Sequence, residues 1–403
     1  MFDHLQIPYR QERVLVGLAD AGLRTASLLG WPGRPEDRGA APGRILLLRL
    51  ERIGDLLMVL DAVAMVRALA PGAHIDLVVG SWNRPLAQLV AGVDSVEALD
   101  VPWMAREGAG MAWSALVQHA RKWRTRDYDL AINFEPDIRS NVLLALSGAR
   151  RRAGFVSGGG GAVLTHAMAP DPGAHIAENA KALVQRAFGV TGLTLRATDE
   201  RASVRQGGSP ARLRIPDAAR KRAAELVGTP RHGTALIGIQ PAAGRRIKEW
   251  DPGKFAEVGA ALARTRKAVI VLIGSAGDKP VLDAVRSAWP GDVPLAQLPL
   301  ETDLVVLAAV LERLNLLITG DTGPMHLAAA VGTPVLAIFG PSLPTRYAPL
   351  SPRSRIVRID IHCSPCNLMR RPPTRCLGKV PDCLAGIHSA DVLAAANDML
   401  DAS

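Results

Sequence analysis

The sequence predicts an α/β protein built from two doubly wound parallel-sheet domains. Short apolar runs alternate with amphipathic stretches in strand–helix order, and this rhythm stops and then restarts once along the chain. Aromatic residues make up only 4% of the chain, unlike an aromatic-rich β-sandwich. A length of 403 residues fits two domains, at about 150 residues per domain.

Residues 1–43 stand outside the rhythm as an extension. Residues 12–29 suit an amphipathic helix, with Val14, Leu15, Leu18, Leu23, Ala26 and Leu29 apolar. Such a helix either packs on the body of the protein or lies on a membrane surface, and packing is the favoured reading. A Pro- and Gly-rich loop follows over residues 31–43.

Order then begins with RILLLRL at residues 44–50, a buried strand bounded by Pro42-Gly43 and Gly54-Asp55. Residues 56–69 continue at helical spacing and stop at Pro71-Gly72. Strands follow at 75–79 and 129–134, with helices at 86–89 and 112–122 between them. The second unit opens with a strand at 235–239, a loop to 251 and a helix at 252–264. Strand 268–274, helices 279–288 and 303–313, strand 316–319, helix 325–331 and strand 335–339 complete it. Mixed charge over 195–215 and the break at Gly207–Pro210 place the join, giving domains 44–205 and 206–403. Two such domains usually hold ligand in the cleft between them, facing the carboxyl ends of their strands.

Several classes are excluded or disfavoured. No stretch reaches the roughly 18 unbroken apolar residues of a spanning helix. The start, MFDHLQIPYRQER, is not a secretory signal, so the expected location is the cytoplasm. A net charge of +10 suits an anionic partner, but the basic residues are scattered without interleaved aromatics, which argues against nucleic acid.

Three motifs carry chemistry. Gly54-Asp55 sits at the first strand-to-helix turn, where Asp55 can serve either as a helix cap or as a catalytic carboxylate. The run RLERIGD lacks the Gly-x-Gly-x-x-Gly of a dinucleotide reader, so hydride transfer loses its fingerprint. The second motif is Gly320-Asp321-Thr322-Gly323-Pro324-Met325-His326, again between strand and helix. Thr322 or Asp321 can cap, Gly323 lets backbone approach closely, and free N–H groups with His326 form a phosphate site. The third, Arg245-Arg246-Ile247-Lys248-Glu249-Trp250, brings cations to a loop where a diphosphate leaving group needs its charge neutralised. Trp250 can pack on the following helix or stack on a base, with packing favoured.

Two patterns are set aside. Asp127-Tyr128-Asp129 reads as an exposed start of a strand, and Gly158–Gly161 reads as a flexible loop without a P-loop ending. The four cysteines, Cys363, Cys366, Cys376 and Cys383, fall within one short segment. They suit a structural zinc or iron held by thiolates, or a reduced thiol cluster. Four protein ligands would leave no open position for metal catalysis.

These segments together resemble glycosyltransferase family 9, the ADP-heptose:lipopolysaccharide heptosyltransferases. ILLLRLERIGDLLMVLDAVAMVRALAPGAHIDLVVG is similar to the family's opening, RRIKEWDPGKFAEV to its Lys-x-Trp loop, and GDTGPMHLAAAVGTPVLAIFGPSLPTRYAP to its nucleotide-sugar signature. The stretch ending DCLAGI is similar to its tail. The resemblance spans about residues 44–395 and leaves the extension outside. It implies a GT-B architecture of two Rossmann-like domains with an interdomain cleft, and inverting transfer with no cofactor required for catalysis. On this resemblance Asp55, preceded by Gly54, is the general base, while Lys248, Thr322, Gly323 and His326 hold the diphosphate and Asp321 contacts the donor nearby. The implied partners are an ADP-sugar and a lipopolysaccharide core or other glycan acceptor. Peripheral contact with the inner membrane goes with that acceptor, and nucleic acid does not. Two other readings stay open: a nucleotide-sugar epimerase of the same two-domain build, and transfer of a heptose to protein.

Overall fold

The computed structural model describes residues 2, 5–7, 9–32, 41–104, 110–190, 213–228 and 233–402. Two compact units divide the chain, Met1–Arg201 and Ala202–Ser403. The Gly207–Pro210 break at which the sequence suggests a join lies outside the described residues.

Unit 1 is a six-stranded parallel sheet in the order β3-β2-β1-β4-β5-β6. Its strands are β1 (Arg44–Arg49), β2 (His74–Val79), β3 (Ser95–Ala98), β4 (Leu130–Asn133), β5 (Arg151–Phe155) and β6 (His166–Met168). Helices α1 (Arg10–Leu28), α2 (Ile53–Met58), α3 (Leu60–Leu69), α4 (Arg84–Ala87), α5 (Trp113–Lys122), α6 (Ile138–Leu146) and α7 (Ile176–Phe188) complete it. The central strand explains its own sequence: Ile45, Leu46, Leu47 and Leu48 are all fully buried, as a parallel strand covered on both faces requires. From β1 the chain winds one way through β2 and β3, then returns to place β4 on the other side of β1. The turn after β1 and the loop after β4 therefore flank the switch point, where such sheets leave a crevice at their carboxyl edge.

The expected single helix over 56–69 divides at Val59. Its amide donates to the Leu56 carbonyl, three residues back, and this tightened turn starts a second helix. The Gly158–Gly161 run is no loose loop. It is clamped by the extension, since Asp20 on α1 accepts from the Gly160 N–H at 2.8 Å, and the Gln6 N–H donates to the Ser157 carbonyl at 2.8 Å. A Cβ on Gly158 would stand 1.9 Å from the Pro136 carbonyl oxygen, so only glycine fits there. One side of α1 thus packs on unit 1, while Val14, Leu15 and Leu18 stay exposed.

Asp127-Tyr128-Asp129 also departs from expectation, because Tyr128 is buried. Its hydroxyl donates to Asp76 at 2.6 Å. Asp76, itself buried, also accepts from Ser95 and pairs with Arg44 and His74. Burial alone would raise the Asp76 carboxyl, but those hydrogen bonds and cations outweigh it and hold it below the ordinary range. Glu97 is likewise held low against burial, by His119, Arg126 and Trp123. Carboxyls depressed in the folded state contribute stability above their unfolded pKa of about 4, and that stability is lost as pH falls through the folded values. Lowering the pH from 6 to 3 is therefore expected to reduce Tm by several degrees more in the parent than in an Asp76→Asn/Glu97→Gln double variant, as followed by circular dichroism.

Unit 2 repeats the plan in the order β12-β11-β10-β7-β8-β9. Its strands are β7 (Leu236–Gln240), β8 (Val269–Leu272), β9 (Ala296–Gln297), β10 (Leu316–Gly320), β11 (Val335–Ile338) and β12 (Ser354–Val357). Helices α8 (Asp217–Val227), α9 (Pro252–Arg266), α10 (Lys279–Ala288), α11 (Leu304–Arg313), α12 (Gly323–Ala330), α13 (Pro344–Tyr347), α14 (Asp382–Ala385) and α15 (Ser389–Asp401) cover it. Here β7 and β10 flank the switch point. Trp250 packs edge-on against Phe255 in the core and its indole N–H donates to the Ile387 carbonyl, so it is no base-stacking platform. Truncating it to Ala is expected to cost about 3–5 kcal/mol in a denaturant titration.

Candidate functional site

In unit 1 the residues of interest gather where β1 and β4 end. Helix α2 begins at Ile53, three residues earlier than the expected start at residue 56. Arg52 is the N-cap and Asp55 lies inside the first turn, where its Oδ2 accepts from the Arg52 N–H at 3.2 Å. The Asp55 side chain is about one-quarter exposed, enough to reach an incoming ligand. Behind it lies Arg49, whose side chain is only 2% exposed and which pairs with Asp55 at 3.4 Å and Glu51 at 3.0 Å. Glu135, the second residue beyond β4, is fully buried; its carboxylate accepts from the Leu50 N–H and from Ser140 Oγ at 2.9 Å. Burial pushes the Glu135 carboxyl above its ordinary value, although Arg49 opposes the shift.

In unit 2 the loop after β7 and the turn after β10 meet. Lys248 Nζ donates to the Asp321 carbonyl at 2.7 Å and to Asp321 Oδ2 at 3.0 Å. Ser342, in the loop after β11, donates to the same carboxylate oxygen at 2.5 Å. Thr322 is the N-cap of α12 and accepts from the Met325 N–H; Pro324 stands in the first turn, where a missing N–H costs nothing. Gln240, the last residue of β7, anchors this turn by accepting from Thr319 at 2.7 Å and from Thr322 at 3.2 Å. Gly320 allows the close approach: a Cβ there would lie 3.3 Å from the Lys248 carbonyl oxygen. His326 occupies the first turn of α12 and is buried. Of the three cations in the loop, only Lys248 is drawn in, because Arg245 and Arg246 are exposed. Glu249 turns the other way and accepts from the Ala243 N–H at 3.2 Å. Burial raises its carboxyl.

The result is an ammonium group, a helix N-terminus and a histidine at one switch point, a combination that attracts a phosphate or diphosphate. Arg49, Glu135, Gln240 and Ser342 escaped the sequence reading. Arg49 and Glu135 left a faint signal, as charges at the ends of otherwise apolar runs.

Cys363, Cys366, Cys376 and Cys383 all line one cavity with room for about 10 Å³, the space of a single water-sized occupant. All four are free thiols, and among the described residues no group of three or more His, Cys, Asp or Glu is arranged to hold a metal ion. Burial, and then the neighbouring Cys366, push the Cys383 thiol up to about 11. Ile247 lines the same cavity, so the cysteine-rich loop supports the segment that carries Lys248. No helix of the described residues is long and apolar enough to cross a membrane.

A family model described as glycosyltransferase family 9 (heptosyltransferase) matches residues 116–374. Lipooligosaccharide heptosyltransferase 2 of Haemophilus influenzae is 24% identical over 324 residues, covering 78% of this chain and 88% of its own length. Among solved structures, the family 9 glycosyltransferase of Veillonella parvula superposes with a TM-score of 0.72 at 23% identity, covering 90% of this chain and 98% of that one. The ADP-heptose lipopolysaccharide heptosyltransferase II of Escherichia coli superposes with a TM-score of 0.69 at 21% identity, covering 89% and 99%. These likenesses bear out two Rossmann-like α/β domains of the GT-B kind.

Proposed function

The chain belongs to glycosyltransferase family 9, the heptosyltransferases, and we propose that it moves a heptose from ADP-heptose to the core of a lipopolysaccharide, with inversion at the anomeric carbon. The observation that carries this reading is Lys248 drawn onto the β10–α12 turn beside the Thr322 cap and His326, a ready site for a diphosphate. Lys248, Thr322, Gly323 and His326 hold the diphosphate. Asp321 fixes the ammonium and offers its carboxylate to donor hydroxyls. As the anomeric bond breaks, negative charge grows on the leaving phosphate, and the helix N-terminus with Lys248 stabilises it. Asp55, beside Gly54, takes the proton of the attacking acceptor hydroxyl. The relatives' names supply the heptose, the ADP and the lipopolysaccharide acceptor.

No cofactor is needed for the chemistry so described, since Lys248 and the backbone supply the positive charge. The four cysteines line one cavity with Ile247 and, among the described residues, are not arranged around a metal ion, which favours the reduced thiol cluster as the brace beneath the Lys248 loop. Protein purified without added metal should carry no more than a trace of zinc or iron by elemental analysis, and close to one equivalent would refute the thiol-cluster reading. An acceptor embedded in a bilayer also calls for peripheral contact with the inner membrane from the cytoplasmic side, and the exposed stripe of α1 is available for it.

Incubation with ADP-heptose and lipid A–core acceptor tests the reaction. The expected result is ADP release that depends on acceptor, with a heptosyl increment on the acceptor by mass spectrometry. Epimerised donor formed without acceptor and without ADP would replace this reading with an isomerase, and labelling of protein alone would move the acceptor class.

A further inference from the structure

Arg49 occupies a place where an apolar residue would be expected. Its neighbours Ile45–Leu48 and Leu50 are fully buried, and its own side chain is 2% exposed. Burying a guanidinium costs several kcal/mol, and a buried ion pair is often no more stabilising than a well-packed apolar side chain. Stability is therefore a weak reason for an arginine here, and its bonds point to another one. Its Nε donates to the Asp55 carbonyl at 3.1 Å, and its Nη1 donates to the Phe134 carbonyl, just beyond β4, at 2.7 Å. The same guanidinium faces the Asp55 carboxylate at 3.4 Å and Glu51 at 3.0 Å. Asp55 is thus held three times: Oδ1 by the guanidinium, Oδ2 by the Arg52 N–H, and its main chain by Arg49 Nε.

Two oxygens gripped from two directions fix the plane of the carboxylate and both side-chain torsions, while its exposed quarter keeps lone pairs open to an acceptor. The fork of an arginine can do this and the point charge of a lysine cannot. Buried Glu135 lies close enough for its carboxyl to feel the charge of Arg49, and it holds the Leu50 N–H at the junction of β1 and the turn.

We propose that Arg49 is a positioning residue that sets the orientation of the Asp55 carboxylate for proton abstraction from the acceptor hydroxyl. This inference rests on Asp55 acting as the base. Misplacing a reacting group by about 1 Å costs on the order of 100-fold in rate, so the effect belongs in kcat and not in donor binding, which lies on unit 2.

The test compares Arg49→Lys, Arg49→Met and Arg49→Ala with Asp55→Asn in the full chain, each checked for folding by circular dichroism. Turnover, acceptor KM and ADP affinity by calorimetry are measured for each. Arg49→Met and Arg49→Ala should lose about 100-fold in kcat and Arg49→Lys about tenfold, with ADP affinity within twofold of the parent. Millimolar methylguanidinium should restore part of the turnover of Arg49→Ala and none of Asp55→Asn. If the two larger truncations fail to fold, the kcat loss in Arg49→Lys at unchanged ADP affinity still carries the point. Parental turnover in Arg49→Lys, alongside an inactive Asp55→Asn, would overturn the positioning role. Parental turnover in Asp55→Asn would instead overturn the assignment of the base.

Discussion

Replacing Asp55 by Asn is expected to lower kcat about 1,000-fold while ADP binds as before. General-base assistance contributes roughly 10²- to 10⁴-fold. Asn keeps nearly the same shape and still accepts from the Arg52 N–H, so α2 keeps its first turn. What it loses is the capacity to take a proton. The measurement is steady-state turnover together with calorimetric titration of ADP. A variant that turned over within tenfold of the parent would reduce Asp55 to its other role, closing the first turn of α2. A variant that lost ADP binding as well would mean that the substitution had reached beyond proton transfer.

Lys248→Met carries the second large effect. Neutralising the ammonium removes the side-chain cation that the proposed function assigns to the diphosphate, and kcat should fall about 100- to 1,000-fold, with ADP affinity weakened as well. The substitution also strands Asp321, whose side chain is only 10% exposed and whose ion-pair partner is Lys248. Breaking such a buried pair from one side costs on the order of 3–5 kcal/mol. Stability and rate can then be separated. Lys248→Met/Asp321→Asn should recover most of the lost stability in a denaturant titration, because the stranded charge is gone, yet recover none of the rate. Recovery of both together would make the lysine a structural element of the β10–α12 turn.

The sequence exposed those parts of the molecule whose physics is local. The strand RILLLR reads as buried because four consecutive side chains have no polar face to show, and a capped helix start reads from Asp321, Thr322, Gly323 and Pro324, the structure choosing Thr322 over Asp321 as the cap. The Gly-Asp turn was visible for the same reason, although its cap is Arg52 and Asp55 lies within the helix. What stayed hidden depends on residues far apart in the chain. Arg49 looks like an interruption of an apolar run until the Phe134 carbonyl, 85 residues on, is seen to receive it. Ser342 is an ordinary loop serine until β11 brings it to Asp321. Gln240 has no signature at all, yet it ties the end of β7 to the end of β10. The glycine run at 158–161 misled in the opposite direction: glycine marks loose chain and tight approach alike, and the Pro136 carbonyl decided for the latter. Strands β5 and β6 were passed over because Arg151 and Arg152 open one and the other is only three residues long.

The most direct test is the anomeric configuration of the product, read by NMR after transfer from ADP-heptose to the lipid A–core acceptor. A single displacement, with a carboxylate base drawing the proton from the acceptor hydroxyl as the phosphate leaves, predicts a new linkage opposite in configuration to the donor. Retention of the donor's configuration would contradict it, and Asp55 could then no longer be the base of a one-step transfer.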